Sequence, residues 1–421
     1  MVDVLKKFTQ LIVWILLLFL FPLKANGIEV IVGEEKNTCV VCHSEKQEQF
    51  KTSVHYENGV VCSDCHGGDP AQVEWEKAMD KSKGFKAGFA KQEIALVCDR
   101  CHGNYALMRQ YGIPTDQLES YRTSEHGKAL FERNNTNVAV CTDCHGVHEI
   151  LSVKNPQAAV YPLNIPATCE KCHADKKLMA PYGNHTDIVE NYRKGIHGKR
   201  LLEDGDIGAP TCVTCHGNHG AAPPGVAEVV NVCGRCHANT RDYFEQSAHF
   251  NNGIECVNCH DNHRNVHPTD EKFKSSDEGG CLLCHDLGDD TPASKFIKDL
   301  TDRLERARLA VKDAEKEVKK AEQAGVIADA ENLLLIEARA ALTKWGPIQH
   351  SLSRENIEAV LQEASSKSEH IEENIDKYFK EQMDRHIKIS IAMGFVFIVM
   401  LLVYLKYRVL KASLLRAKQA K

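Results

Sequence analysis

Eighteen cysteines fall into nine pairs, each spaced C-x-x-C and each followed at once by histidine, with no cysteine left over. They are Cys39/Cys42-His43, Cys62/Cys65-His66, Cys98/Cys101-His102, Cys141/Cys144-His145, Cys169/Cys172-His173, Cys212/Cys215-His216, Cys233/Cys236-His237, Cys256/Cys259-His260 and Cys281/Cys284-His285. Zinc knuckles can use adjacent C-x-x-C pairs, but zinc does not require histidine in the fifth position every time. A disulfide framework has no use for that rule either. C-x-x-C-H is the pattern in which two thioethers hold a porphyrin and the adjacent imidazole becomes the proximal iron ligand. The expectation is nine covalently bound haem c groups, attached at these 18 cysteines, with these nine histidines on iron.

All nine motifs lie within residues 28–290, about 29 residues apiece. That is too little chain for a side-chain core under every cofactor, so stacked porphyrins must supply most of the buried apolar surface. The expected fold is mostly α with extensive irregular loops: a nine-haem domain, then a helical hairpin or bundle and one transmembrane helix. Internal repeats organise it. Cys98, His126, Cys141, His145 and His148 recur 71 residues on as Cys169, His197, Cys212, His216 and His219, with SEHGKAL against GIHGKRL. An offset of 194 links Cys39, His55 and Cys62 to Cys233, His249 and Cys256. The domain therefore reads as duplicated two-haem modules, two short and two long, with a ninth haem added at Cys281.

Residues 1–27 read as a secretory signal: Lys6 and Lys7, the apolar Leu11 to Leu23, then Ala25-Asn26-Gly27 as a small-x-small cleavage site. An uncleaved anchor is the alternative, and both export the body. Beyond Cys284 the composition changes to charged amphipathic helix. Residues 291–386 form a helical, coiled-coil-like region. Its first helix is expected over 293–324 with Ile297, Leu300, Leu304, Val311, Ala314, Val318 and Ala321 on one stripe and Gly325 as its end. A second helix is expected over about 327–345, stopped by Gly346-Pro347, and a third from about Ser353. Ile387 to Leu405 is a 19-residue apolar run, long enough at ~1.5 Å per residue nearly to cross a ~30 Å hydrocarbon layer. Residues 406–421 carry Lys406, Arg408, Lys411, Arg416, Lys418 and Lys421 and no acid, which marks a cytoplasmic tail. The haem domain is then periplasmic, tethered to the inner membrane by one span. The formal charge of −6 excludes a nucleic-acid partner, which needs a basic face.

The second iron ligand decides the chemistry. Of 21 histidines, nine are proximal and three (His350, His370, His386) lie in the C-terminal helices. The other nine, His55, His126, His148, His185, His197, His219, His249, His263 and His267, are the distal candidates, one per haem. His55, His185 and His249 follow a proximal histidine by 12 residues; His126 and His197 precede a cysteine by 15; His148, His219 and His263 follow a proximal histidine by three. His350, in WGPIQHS beside the helix break, is the first substitute for His267. Methionine is excluded as a general ligand because the region holds only Met79, Met108 and Met179. Two imidazoles saturate iron and give lower potentials than a His/Met pair, a set built for moving electrons.

With these motifs, among them HGKxL…CxxCHGxH and an SxxH…CxDCHG pattern from which Ser53 departs in spacing, the chain resembles the multihaem c-type cytochromes of anaerobic bacterial respiration, of the cytochrome c3-like, doubled C-x-x-C-H type. The likeness spans roughly residues 36–290. The single anchor is similar to that of membrane-bound multihaem quinol dehydrogenases. The resemblance implies a carrier between the quinone pool or a membrane redox complex and periplasmic cytochromes or reductases, with no catalytic residue. The alternative is a terminal reductase for nitrite, hydroxylamine or a sulfur oxyanion, which needs one haem with an open face. A haem-based sensor would want a cytoplasmic signalling domain, and about 16 residues after Leu405 are too few.

Overall fold

Each C-x-x-C-H motif folds into short helix, and the neighbouring residues dictate its ends. The second, fourth, sixth and eighth motifs form the helices Cys62–His66, Cys141–His145, Cys212–His216 and Cys256–His260. Each is entered through one extended residue whose N–H donates to the side chain just before the second cysteine. The bonds are Val61 to Asp64 (2.8 Å), Val140 to Asp143 (2.8 Å), Thr211 to Thr214 (3.0 Å) and Glu255 to Asn258 (2.7 Å). Each helix is left through a residue of positive φ: Gly67, Gly146, Gly217 and, without glycine, Asp261. That residue stops the helix after little more than one turn and reverses the chain. The third and fifth motifs instead close the longer helices Lys91–His102 and Ile165–His173.

A computed structural model of the chain describes residues 37–183, 185–224, 226–266, 269–276, 279–285 and 291–419. The expected signal segment, His267 and the last two residues of the tail lie outside the described residues. The fold is mostly α with extensive irregular loops, and no strand occurs among the described residues. The chain divides into two compact units, one of residues up to Arg193 with His197–Pro223, the other of Lys194–Ile196 with Pro224–Lys421.

The first unit holds six motifs. Its protein-only apolar cluster is small: Ala129, Leu130, Val138 and Val140, flanked by Ile94, Tyr121 and Phe131. The scarcity of side-chain core fits a domain whose porphyrins fill the interior.

The second unit joins the last three motifs to three long helices, Pro292–Gln323, Asp329–Ile348 and Arg354–Gln419. Thr291 caps the first by accepting from the Ser294 N–H (3.2 Å), and Gly325 (φ 83°) follows its end. Leu300, Leu304, Ala307, Val311, Ala314 and Val318 form its buried stripe, packed on Leu335, Ala338, Ala341 and Trp345 of the second helix and Ile357, Leu361, Ala364 and Ile371 of the third. Ile297 is only half-buried, and Ala307 completes the stripe instead. The second helix does not stop at Gly346-Pro347 but runs through them to Ile348. Proline so near a helix end forfeits one hydrogen bond, and burial of Trp345 and Ile348 on either side offsets it. The third helix is 66 residues long, about 100 Å at the usual rise. From Ile387 to Leu410 its large apolar side chains are exposed, and this is the one candidate membrane span among the described residues.

Candidate metal centres

Serine sets up the first group of candidate ligands. Ser53, Ser124 and Ser247 are fully buried N-caps, accepting from the N–H groups of Tyr56 (3.1 Å), Gly127 (2.9 Å) and Phe250 (3.1 Å). His55, His126 and His249 stand two residues beyond them, so the recurring spacing is S-x-H rather than S-x-x-H. Each cap fixes the first turn on which its histidine rides. The glycine that follows His126 is required by packing. A Cβ on Gly127 would collide with the Tyr121 carbonyl, and Gly198 has the same relation to Tyr192. Tyr121 and Tyr192 donate in turn to the carbonyls of Ala139 (2.7 Å) and Pro210 (2.8 Å), just ahead of the next motif. The HGKxL text is thus a close backbone crossing that sets a ligand.

Six motif histidines face a second histidine across a gap. The ring centroids are 6.0 Å apart for His102 and His55, 6.4 Å for His66 and His148, and 6.1 Å for His173 and His126. They are 6.2 Å apart for His145 and His219, 5.9 Å for His285 and His249, and 6.0 Å for His260 and His350. A metal–imidazole bond of about 2 Å, plus ~1 Å from nitrogen to ring centre on each side, puts two trans imidazoles about 6 Å apart. The repeated separation is that of one iron between two rings. Among the described residues no three of His, Cys, Asp or Glu converge as a bare metal ion needs.

The rings are held ready as ligands. His66 Nδ1 lies 2.8 Å from the Lys86 carbonyl, His216 Nδ1 3.1 Å from that of Ala222, and His350 Nδ1 2.9 Å from that of Gly346. An Nδ1–H donated to a carbonyl leaves Nε2 as the lone pair for metal. Burial, with the facing ring as a further cause in most pairs, lowers the pKa of His55, His126, His145, His148, His249 and His260. Burial does the same to His102, His173, His219 and His350. The neutral ring is the form that coordinates.

The pairing follows an order that local spacing does not reveal. His55, between the first and second motifs, faces the third; His126, between the third and fourth, faces the fifth; His249, between the seventh and eighth, faces the ninth. His148, just past the fourth motif, faces the second, and His219, just past the sixth, faces the fourth. His350 comes from the end of the second bundle helix. Among the distal candidates, His185 is exposed and no histidine ring faces it among the described residues. His197 and His263 each have a partner, as does the proximal His237.

Consecutive motifs are also neighbours in space. The first cysteines hydrogen-bond in pairs: Cys39 with Cys62, Cys98 with Cys141, Cys169 with Cys212 and Cys233 with Cys256. Second cysteines approach across the alternate junctions, Cys65 near Cys101, Cys144 near Cys172 and Cys259 near Cys284. Arg100 clamps one junction by donating to the carbonyls of Asp64 (3.0 Å) and Cys65 (3.1 Å). The attachment sites form an unbroken file within each unit.

The expectation that stacked porphyrins make up the interior needs one correction, because it does not extend to every sulfur that would hold them. The first cysteine of each motif is half-buried, but the second is exposed at Cys42, Cys65, Cys101, Cys215, Cys236, Cys259 and Cys284. Helix length is the physical reason. The sixth motif's helix ends at His216, one residue past Cys215, and the seventh's, Val226–Gly234, ends before Cys236 is reached. No further turn follows to cover either sulfur. Cys215 closes the file of the first unit, near Tyr192, and Cys236 belongs to the second unit, whose file opens at Cys233.

Residues 54–174 match the family described as Cytochrome c3, and residues 205–242 match the family described as Doubled CXXCH motif. No curated relative matches the chain.

Proposed function

We propose, from the premise that this chain is a multihaem c-type cytochrome with covalently bound haem c, that it is a membrane-anchored electron carrier of the periplasm. Nine haems, one on each motif, would be held by the 18 cysteines and nine proximal histidines named above. When bound, haem with two imidazoles supplies a one-electron couple with both axial positions filled. The observation that carries the reading is the six histidine pairs 5.9–6.4 Å apart, each closing both faces of its site.

The protein's own residues do the positioning. Buried serine caps and close-crossing glycines fix the distal rings; backbone carbonyls fix the tautomer of His66, His216 and His350. The cysteine file keeps successive sites adjacent, so charge need never leave the array between them. Ile387 to Leu405 would anchor the array in the inner membrane, beside the quinone pool or a membrane redox complex. Periplasmic cytochromes or reductases would take the electrons in anaerobic respiration.

The test is reconstitution of the holoprotein into liposomes carrying a reduced naphthoquinol. Reduction of the haem Soret and α bands is expected with the full chain and is expected to slow at least tenfold when residues 387–421 are removed. Equal rates with and without the anchor would reject entry from the membrane.

A further inference from the structure

The pairing order leaves one motif out. Odd-numbered motifs take their facing ring from upstream: His102 from His55 and His173 from His126, each 47 residues earlier, and His285 from His249, 36 residues earlier. For His43 such a residue would have to precede Cys39, and residues 1–38 contain no histidine. His43 is exposed, and no histidine ring faces it among the described residues. His185 of the same unit does not supply one.

The first motif is nonetheless firmly built. Thr38 donates its N–H to the Pro70 carbonyl (2.9 Å) and its hydroxyl to the carbonyls of Pro70 and Gln72. Asn37 Nδ2 donates to Cys62 Sγ (3.3 Å), and Cys39 hydrogen-bonds Cys62, as in the other motif pairs. The motif has the attachment geometry of its neighbours without their second imidazole.

We propose that the haem on Cys39, Cys42 and His43 keeps an exchangeable sixth position that binds small strong-field ligands of the carbon monoxide and nitric oxide class. This rests on the multihaem reading above and adds the address of an open iron. It lies at the first site of the cysteine file, where a small molecule meets the array without displacing a protein ligand.

The experiment uses the purified holoprotein, its haem counted by pyridine haemochrome. Nine haems per chain are expected; a smaller count would refute the nine-haem reading itself, independently of the open site. Oxidised protein should show a high-spin EPR component of about one haem equivalent, and dithionite-reduced protein should bind one carbon monoxide. Nine haems that are all low-spin and bind none would overturn the inference and leave the carrier reading standing. In the double variant Cys39→Ala/Cys42→Ala the carbon monoxide uptake should vanish with one haem, and uptake that persists would place the open iron elsewhere. Should that variant not accumulate, Cys39→Ala alone leaves one thioether, and the carbon monoxide difference band must shift; an unshifted band overturns the assignment. His185→Ala should change none of these signals, whereas a new high-spin component in it would make His185 the missing ligand.

Discussion

Asp261 holds a backbone conformation (φ 65°, ψ 157°) that Gly67, Gly146 and Gly217 reach at the same point of their motifs without a Cβ. That region is nearly reserved for glycine, and other residues there are strained by ~1–3 kcal/mol. Asp261→Gly is therefore expected to raise the melting temperature of the holoprotein, and Gly146→Ala to lower it by a similar free energy; circular-dichroism melts check both, and identical melts would show that the motif exit stores no strain. Ser124→Ala removes a buried cap and should cost about 1 kcal/mol in denaturant unfolding. His126→Ala should turn one haem equivalent from low- to high-spin by EPR at unchanged haem count. An unaltered spectrum would remove His126 from the ligand set. At this scale the sequence was explicit about chemistry and silent about partnership. Every C-x-x-C-H could be found by eye. The spacings of 12, 15 and three residues are local, whereas the rings meet across 36 to 90 residues.

At the scale of elements, the bundle is more than a stalk. Its first helix was legible over 293–324 because apolar stripe, threonine cap and terminal glycine all agree, and the structure gives Pro292–Gln323. The break expected at Gly346-Pro347 misplaced the end of the second helix, since local propensity cannot see the burial of Trp345 and Ile348. Three residues past that proline, in the turn Gln349–Ser351, stands His350, facing His260. The WGPIQHS text marked it only as a substitute, because nothing in a helix–turn pattern reports a ring 90 residues away. His350→Ala should add about one high-spin haem equivalent while thermal unfolding of the helices, read at 222 nm, shifts little. A variant that remains fully low-spin would free His350 of that role.

For the whole molecule, the protein's charge of −6 understates the acidity of the loaded form, because each haem brings two propionates. Redox partners with cationic docking faces are expected, and association measured at low and high ionic strength should weaken as salt rises; salt-independent binding would point to apolar docking. Removing residues 387–421 should release the holoprotein from membranes into the soluble fraction with its haem spectrum intact. Continued sedimentation with vesicles would mean a second attachment.

The long reach of the ligand pairs also sets a timetable for assembly. Because a chain is exported from its N-terminal end, the ring for His66 arrives only when His148 has crossed, and the ring for His260 only with His350, a few dozen residues before the apolar run that halts transfer. Porphyrins can thus be attached to an open, unfolded chain whose cysteines are still accessible to the attachment machinery. The last coordination bond waits until nearly the whole polypeptide is through the membrane, so a chain cut short before residue 350 would retain an unsatisfied iron as the mark of its incompleteness.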